Sequence, residues 1–240
     1  MTETEMIINS AREQNRTTLS EFESARLLAA FGIPTVNGLL AWNLEEAKKA
    51  ALGIGYPVVL KLCSPEVSHK TEGGMVALDL RDEEELELAF RRISGSSPVK
   101  DAACLVQQMV KGGRELVIGM VRDPQFGPCV MFGLGGIWTE ILGDVAFRPA
   151  PLGESDALEM LTEIRGSRIL GAVRGMEAVN PDALVQCLIA LGKIGIAHEE
   201  IQAIDVNPLI IRGSLPVAVD ALVILKGRQD RSESWQGKTS

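Results

Sequence analysis

Aromatic side chains are scarce in this 240-residue chain: six Phe, three Trp and one Tyr. A folded core must therefore be mostly aliphatic. Excess positive charge is also missing, since 24 Lys and Arg face 32 Asp and Glu for a formal charge of −8. Nucleic acid and anionic membrane surfaces are excluded as main partners, because both need a positive field to offset phosphate repulsion. Any anionic ligand must be met by local cations, backbone N–H groups or a metal. Only four cysteines occur, Cys63, Cys104, Cys129 and Cys187, dispersed in apolar surroundings and without a C-x-x-C pair. They read as small core hydrophobes rather than disulfides or metal ligands, and with two histidines in the chain a zinc site is not expected. No apolar run reaches the length of a membrane span, and the opening "MTETEMIINSAREQNR" lacks the basic-then-apolar order of a secretory signal. A cytoplasmic protein is expected.

What is present is regular alternation of helix and strand signals. Residues 1–18 and 226–240 read as polar tails. "LSEFESARLLAAFGIP" reads as a helix with Ser20 as N-cap, Glu23 completing a capping box, and Gly32 and Pro34 closing it. Asn43 with Glu46 and Asp82 with Glu85 repeat that grammar. Asn180 and Pro181 mark another helix start. "YPVVLKL" suits a buried strand, "GGMVALDL" a half-buried one, and "ACLVQQMV" and "RELVIGMVRD" two strands flanking a tight "KGG" turn. "IQAIDVNPLII" and "LPVAVDALVIL" read as two strands joined at "RGS". The pattern is mixed α/β with antiparallel hairpins late in the chain.

Several residues stand out chemically. Asp205 and Asn207 are two apart, so on a strand they share a face. A hairpin turning at Gly213 and Ser214 would set Asn207 opposite Asp220. Two carboxylates and a carboxamide then converge, a set that suits Mg²⁺ shared with substrate phosphates. The same spacing is also consistent with a plain strand-end turn. Lys61 is a cation on an apolar strand, to be explained either by a phosphate or by a salt bridge. Gly73 and Gly74 in "TEGG" would let backbone N–H groups approach phosphate, although neither they nor "FGLGG" complete a known nucleotide-loop fingerprint. Glu115 could orient a ribose or a metal, or be solvated. His69 titrates near neutrality and could carry a phosphoryl group, or be an exposed loop residue. His198, at a helix end, is expected as an imidazolium favoured by the helix dipole.

Taken in order, "LSEFESARLLAAFGIP", "GYPVVLKLCSPEVSHKTEGGMVALDL", "GRELVIGMVRDPQFGPCVMFGLGGIWTEILGDVAFRPAPL" and "IDVNPLII" with "VAVDALVIL" resemble the ATP-grasp (β) subunit of NDP-forming acyl-CoA synthetases. The likeness is to the ADP-forming acetyl-CoA synthetase type, related to the succinyl-CoA synthetase β subunit, and runs from Leu19 to Leu225. It implies an α/β (α+β) ATP-grasp fold, two lobes with nucleotide between two sheets. The small lobe would be about 35–107, and the large lobe about 108–225 plus the helix at 19–32. It implies ATP or ADP with Mg²⁺, Lys61 on nucleotide phosphate, Gln107, Gln108, Met109 and Val110 as the adenine-side hinge, and Asn207 and Asp220 on magnesium with Asp205 in support. Gln108 stands where many relatives carry glutamate. The histidine matching His69 relays phosphate from a phosphohistidine on a partner to ADP. The chain contains neither the CoA-binding nor the CoA-ligase domain, so the resemblance implies an α subunit carrying both, in a hetero-oligomer. Two alternatives are an ATP-grasp carboxylate ligase that forms an acyl phosphate directly, and a non-catalytic nucleotide sensor.

Overall fold

A computed structural model describes residues 1–66, 74–136 and 143–227. Its strands form two sheets. The smaller contains β1 (Gly38–Ala41), β2 (Val58–Cys63), β3 (Val76–Leu80) and β4 (Ala103–Gln108), in the order β1-β4-β2-β3, all antiparallel. Helices α3 (Leu44–Ile54) and α4 (Glu83–Gly95) cover one face. Both start where the sequence predicts, because Asn43 and Asp82 accept the backbone N–H groups of Glu46 and Glu85. Their Ala47, Ala51, Leu86 and Ile93 pack on Val58, Leu60 and Leu62 of β2. Side chains alternate along a strand, so Lys61 emerges on the opposite face, away from those helices.

The larger sheet contains β5 (Glu115–Asp123), β6 (Gly127–Leu134), β7 (Val145–Pro149), β8 (Ile201–Arg212), β9 (Leu215–Ala218) and β10 (Leu222–Leu225). Its order is β10-β8-β5-β6-β7, with β9 also on β8. Ile118, Met120, Val130, Phe132, Ile204 and Val206 line one face, in a core shared with α5 (Glu154–Glu163) and α6 (Pro181–Ala197). Asp205 and Asn207 lie between and beyond those buried strand positions and are exposed on the other face. Helix α2 (Glu21–Ala30) carries the expected Ser20–Glu23 capping box. It is stitched to the larger sheet: Leu19 N–H donates to the Val223 carbonyl, and Val223 N–H to Ser24 Oγ.

Several expectations need correction. Residues 1–18 are not a tail: Glu3–Glu13 form α1, capped by Thr2 with Glu5, and Ile7, Ile8 and Ala11 are buried in the large core. The apolar stripe is one and a half turns long, too short to stand out among polar neighbours. The "KGG" segment does not join a hairpin, because β4 and β5 belong to different sheets. "LPVAVDALVIL" is two strands, β9 and β10, broken at residues 219–221. At the C-terminal end Lys226 N–H donates to the Glu200 carbonyl, and residues 228–240 lie outside the described residues. No helix among the described residues is long and apolar enough to cross a membrane.

His198 is corrected too. It is buried, edge-on to Phe31, and burial pushes its imidazole below the ordinary value. The dipole of α6 is answered instead by Arg122, whose guanidinium donates to the carbonyls of Gly195, His198 and Ile201.

Candidate functional site

The open faces of the two sheets meet at a seam, and Lys61 is the best-defined residue there. It is only 7% exposed. Its Nζ donates to Glu21 Oε1 at 2.6 Å and to the Val219 carbonyl at 2.9 Å, and lies 3.7 Å from Asp220 Oδ2. The salt-bridge explanation for this cation is therefore correct as far as its present partners go. Glu21 is 3% exposed, in the first turn of α2, where free N–H groups and the helix dipole favour a carboxylate. Sequence reading missed Glu21 as a site residue, since its partner is 40 positions away; a glutamate just after an N-cap is ordinarily surface charge.

Asp205, Asn207 and Asp220 converge as the spacing predicts. The β8–β9 ladder pairs Arg212 with Leu215 and Leu209 with Ala218, and Val219 N–H donates to the Pro208 carbonyl. Continuing that register sets Asn207 opposite Asp220. On the same edge of β8, past the break, Leu222 of β10 pairs with Asp205. The Asp205 carboxyl is held above its ordinary value, first by surrounding protein and then by the Asp220 charge. It is reachable by solvent yet flanked by protein, which is the setting of a cleft floor.

The strand leaving the small sheet borders the same seam. Gln107 is buried and, with Glu21, Val219 and Asp220, lines a small cleft. Gln108 N–H donates to the Asn37 carbonyl and Met109 N–H to the Pro57 carbonyl at 3.3 Å, while Val110 is buried with Val36 and Val217. Gly74 has a φ of +67°, a conformation that accounts for glycine there. Glu115 is exposed, and its carbonyl accepts from Gly135 N–H. Gly135 is pressed against that strand, a Cβ on it falling 2.6 Å from the Leu116 oxygen, so close packing explains this glycine. His69 and Gly73 lie outside the described residues.

Comparison with known proteins decides the family. The model of the ATP-grasp domain matches residues 10–225. The chain belongs to the ATP-grasp family. Among ATP-grasp relatives, it is 43% identical over 224 residues to the acetate–CoA ligase [ADP-forming] I subunit beta of Pyrococcus furiosus, covering 91% of this chain and 96% of that one. Among solved ATP-grasp structures, it is similar to the dinucleotide-forming acetyl-coenzyme A synthetase 1 of Ca. Korarchaeum cryptofilum in complex with coenzyme A and Ca-AMPCP. That similarity has a TM-score of 0.90 and 43% identity, over 93% of this chain and all of that chain. A second structure of the same protein holds coenzyme A and Mg-AMPPCP, with its phosphohistidine segment pointing towards the nucleotide binding site. Its TM-score is 0.84 and its identity 42%, over the same shares of both chains.

The donors at this ATP-grasp seam suit a hard cation. Asp205, Asn207 and Asp220 offer only oxygen, and the two carboxylates are close enough for one to raise the other. Among the described residues no group of three or more His, Cys, Asp or Glu is arranged as a complete metal cage. Mg²⁺ fits this incomplete set, because it keeps waters and substrate phosphate oxygens in its octahedron.

A second residue that the sequence reading passed over is Arg114, buried just past the crossover between the ATP-grasp lobes. It donates to the carbonyls of Ile169, Gly171, Glu177 and Gly213. It thereby fixes the start of β5 to the loop before α6 and to the β8–β9 turn.

Proposed function

We propose that this chain is the nucleotide-binding β subunit of an ADP-forming acyl-CoA synthetase, catalysing acyl-CoA + ADP + phosphate ⇌ carboxylate + ATP + CoA with a partner subunit. The observation that carries it is 43% identity to a beta subunit of that activity over 96% of its length. The seam geometry supports the same reading. ADP or ATP lies between the sheets, with Gln107 to Val110 along the base and Lys61 and the N–H groups of Gly73 and Gly74 at the phosphates. Glu115, the first residue of β5, orients the ribose.

Asn207 and Asp220 hold Mg²⁺ and Asp205 supports them; when bound, the ion neutralises phosphate charge. His69 accepts a phosphoryl group from a phosphohistidine on the α subunit and passes it to ADP: the P–N bond breaks and a P–O bond to the β-phosphate oxygen forms. Splitting a long transfer into two short ones lets each be in line. The α subunit supplies CoA binding and the acyl chemistry.

The test runs the transfer backwards. Purified chain is incubated with Mg²⁺ and ATP labelled at the γ-phosphate, with and without the α subunit. Acid-labile label on the wild type and none on His69→Ala is expected. Equal label on both, or none on either with the partner present, would overturn the relay.

A further inference from the structure

Between helix α2 and the open face of the smaller sheet lies a cavity of about 260 Å³, walled by Phe22, Arg26 and Ala29 of the helix, Asn37 ahead of β1, and Leu105 and Gln107 of β4. Among the described residues, none of Lys61, Glu115, Asp205, Asn207 and Asp220 lines it, so it stands apart from the phosphate and metal side of the seam. Gln107 is only 4% exposed, and its carboxamide has no hydrogen-bond partner among the described residues. Its stem lies over Gly38, the residue opposite it on β1, where a Cβ would come within 3.1 Å of Gln107 Cγ. Glycine there lets the side chain lie flat along the sheet and bring its amide to the cavity wall. The helix side of that wall is fixed from outside: Arg26 Nε donates to Glu3 Oε1 of α1 at 2.8 Å, and the guanidinium lies 5.7 Å from the centre of the Phe22 ring.

An unpaired carboxamide in a buried setting opposes folding. A leucine of similar size would fill the same space without that cost, so the amide's own chemistry asks for a partner. We propose that this cavity is a binding site for an adenine ring, separate from the seam, with Gln107 reading the edge of the ring. A carboxamide sets one acceptor beside one donor, the pattern that pairs with the 6-amino group and N7 of adenine. The faces of a base need flat neighbours of the aromatic or guanidinium kind, which Phe22 and Arg26 supply beside apolar Leu105. The volume is below that of pockets that enclose drug-sized ligands, so the base enters while its sugar stays at the mouth.

Adenosine, which has no phosphate to draw it to Lys61, is the probe. It is titrated into the full chain, and the side-chain amide signal of Gln107 is followed by NMR, identified by its loss in Gln107→Leu. A saturable shift is expected, with purine riboside, which lacks the 6-amino group, binding more weakly on the order of tenfold. Ala29 lines this cavity but not the small cleft at the seam that Gln107 also borders. Ala29→Leu should therefore fill the cavity and weaken adenosine binding on the order of tenfold, while the magnesium-dependent affinity for AMPPCP stays as in the wild type. Without ligand, Gln107→Leu should raise the melting temperature, because it removes an unpaired amide. No saturable shift at millimolar adenosine would overturn the site, as would equal affinity for adenosine and purine riboside. Parallel loss of adenosine and magnesium–AMPPCP binding in Ala29→Leu would overturn its separation from the seam. A lowered melting temperature in Gln107→Leu would overturn the premise that the amide lacks a partner.

Discussion

Gly112 is packed directly on Ile210: a Cβ added there would overlap Ile210 Cγ2 and stand 2.6 Å from the Ile211 carbonyl oxygen. The contact presses the crossover between the sheets onto the edge of the β8–β9 hairpin. Gly112→Ala should therefore shift backbone rather than a flexible side-chain end, and cost about 1–3 kcal/mol. Denaturant unfolding checks this, with an unchanged midpoint showing that the crossover can lift away freely.

Asn207→Ala and Asp220→Ala should each weaken binding of magnesium–nucleotide on the order of 10–100-fold. Both side chains are solvent-accessible, so melting temperature should change little. Calorimetric titration distinguishes the cases; unaltered affinity in both would remove the pair from the site.

Asp205 gives a prediction with a definite sign. Its carboxyl is raised above the ordinary 3.8 by the protein that flanks it and by Asp220, so ionising it opposes folding. Its contribution is most favourable below 3.8 and is lost as pH rises through the elevated folded value. Asp205→Asn should accordingly raise the metal-free melting temperature at pH 7, and that advantage should vanish below 3.8. Metal–nucleotide affinity should fall in the same variant, so the wild-type carboxylate would be a stability cost kept for binding. Melting curves across pH, without magnesium, read the effect.

His198 should impose the opposite slope. Burial depresses its imidazole below 6.5, partly opposed by the charges of Glu200 and Glu5. Stability from this group is full above 6.5 and is lost as pH falls through the depressed folded value. His198→Gln should flatten the decline in melting temperature between pH 7 and pH 5; an unchanged decline would assign it to other groups.

The helix starts were legible because each is encoded within four residues, as at Ser20–Glu23, Asn43–Glu46 and Asp82–Glu85. The opposition of Asn207 and Asp220 was legible for a related reason: the turn at Gly213 and Ser214 fixes hairpin register, and counting does the rest. What stayed hidden was whatever depends on which sheet a strand joins. Nothing local to "ACLVQQMVKGGRELVIGMV" says that its two strands part company at the glycines. The partner of Lys61 was hidden because Glu21 reads as an ordinary first-turn acid, and the burial of His198 because Arg122 supplies from β5 the cation that the helix end favours.

The stitching of residues 17–36 to β9 and β10 has a consequence for synthesis. Thr17 and Leu19 bond to Leu225 and Val223, and Val36 to Ala218, so the first helices dock on the last strands. The smaller sheet, by contrast, uses only the continuous stretch 38–108. As the chain leaves the ribosome, that lobe has all its strands while α1 and α2 still lack theirs, and the larger sheet cannot close until about residue 225 has emerged. Lys61 will thus be in place on its strand before the Val219 carbonyl that it binds has been made. A chain stopped short of Leu215 lacks β9 and β10, and with them the Val219 and Asp220 side of the seam.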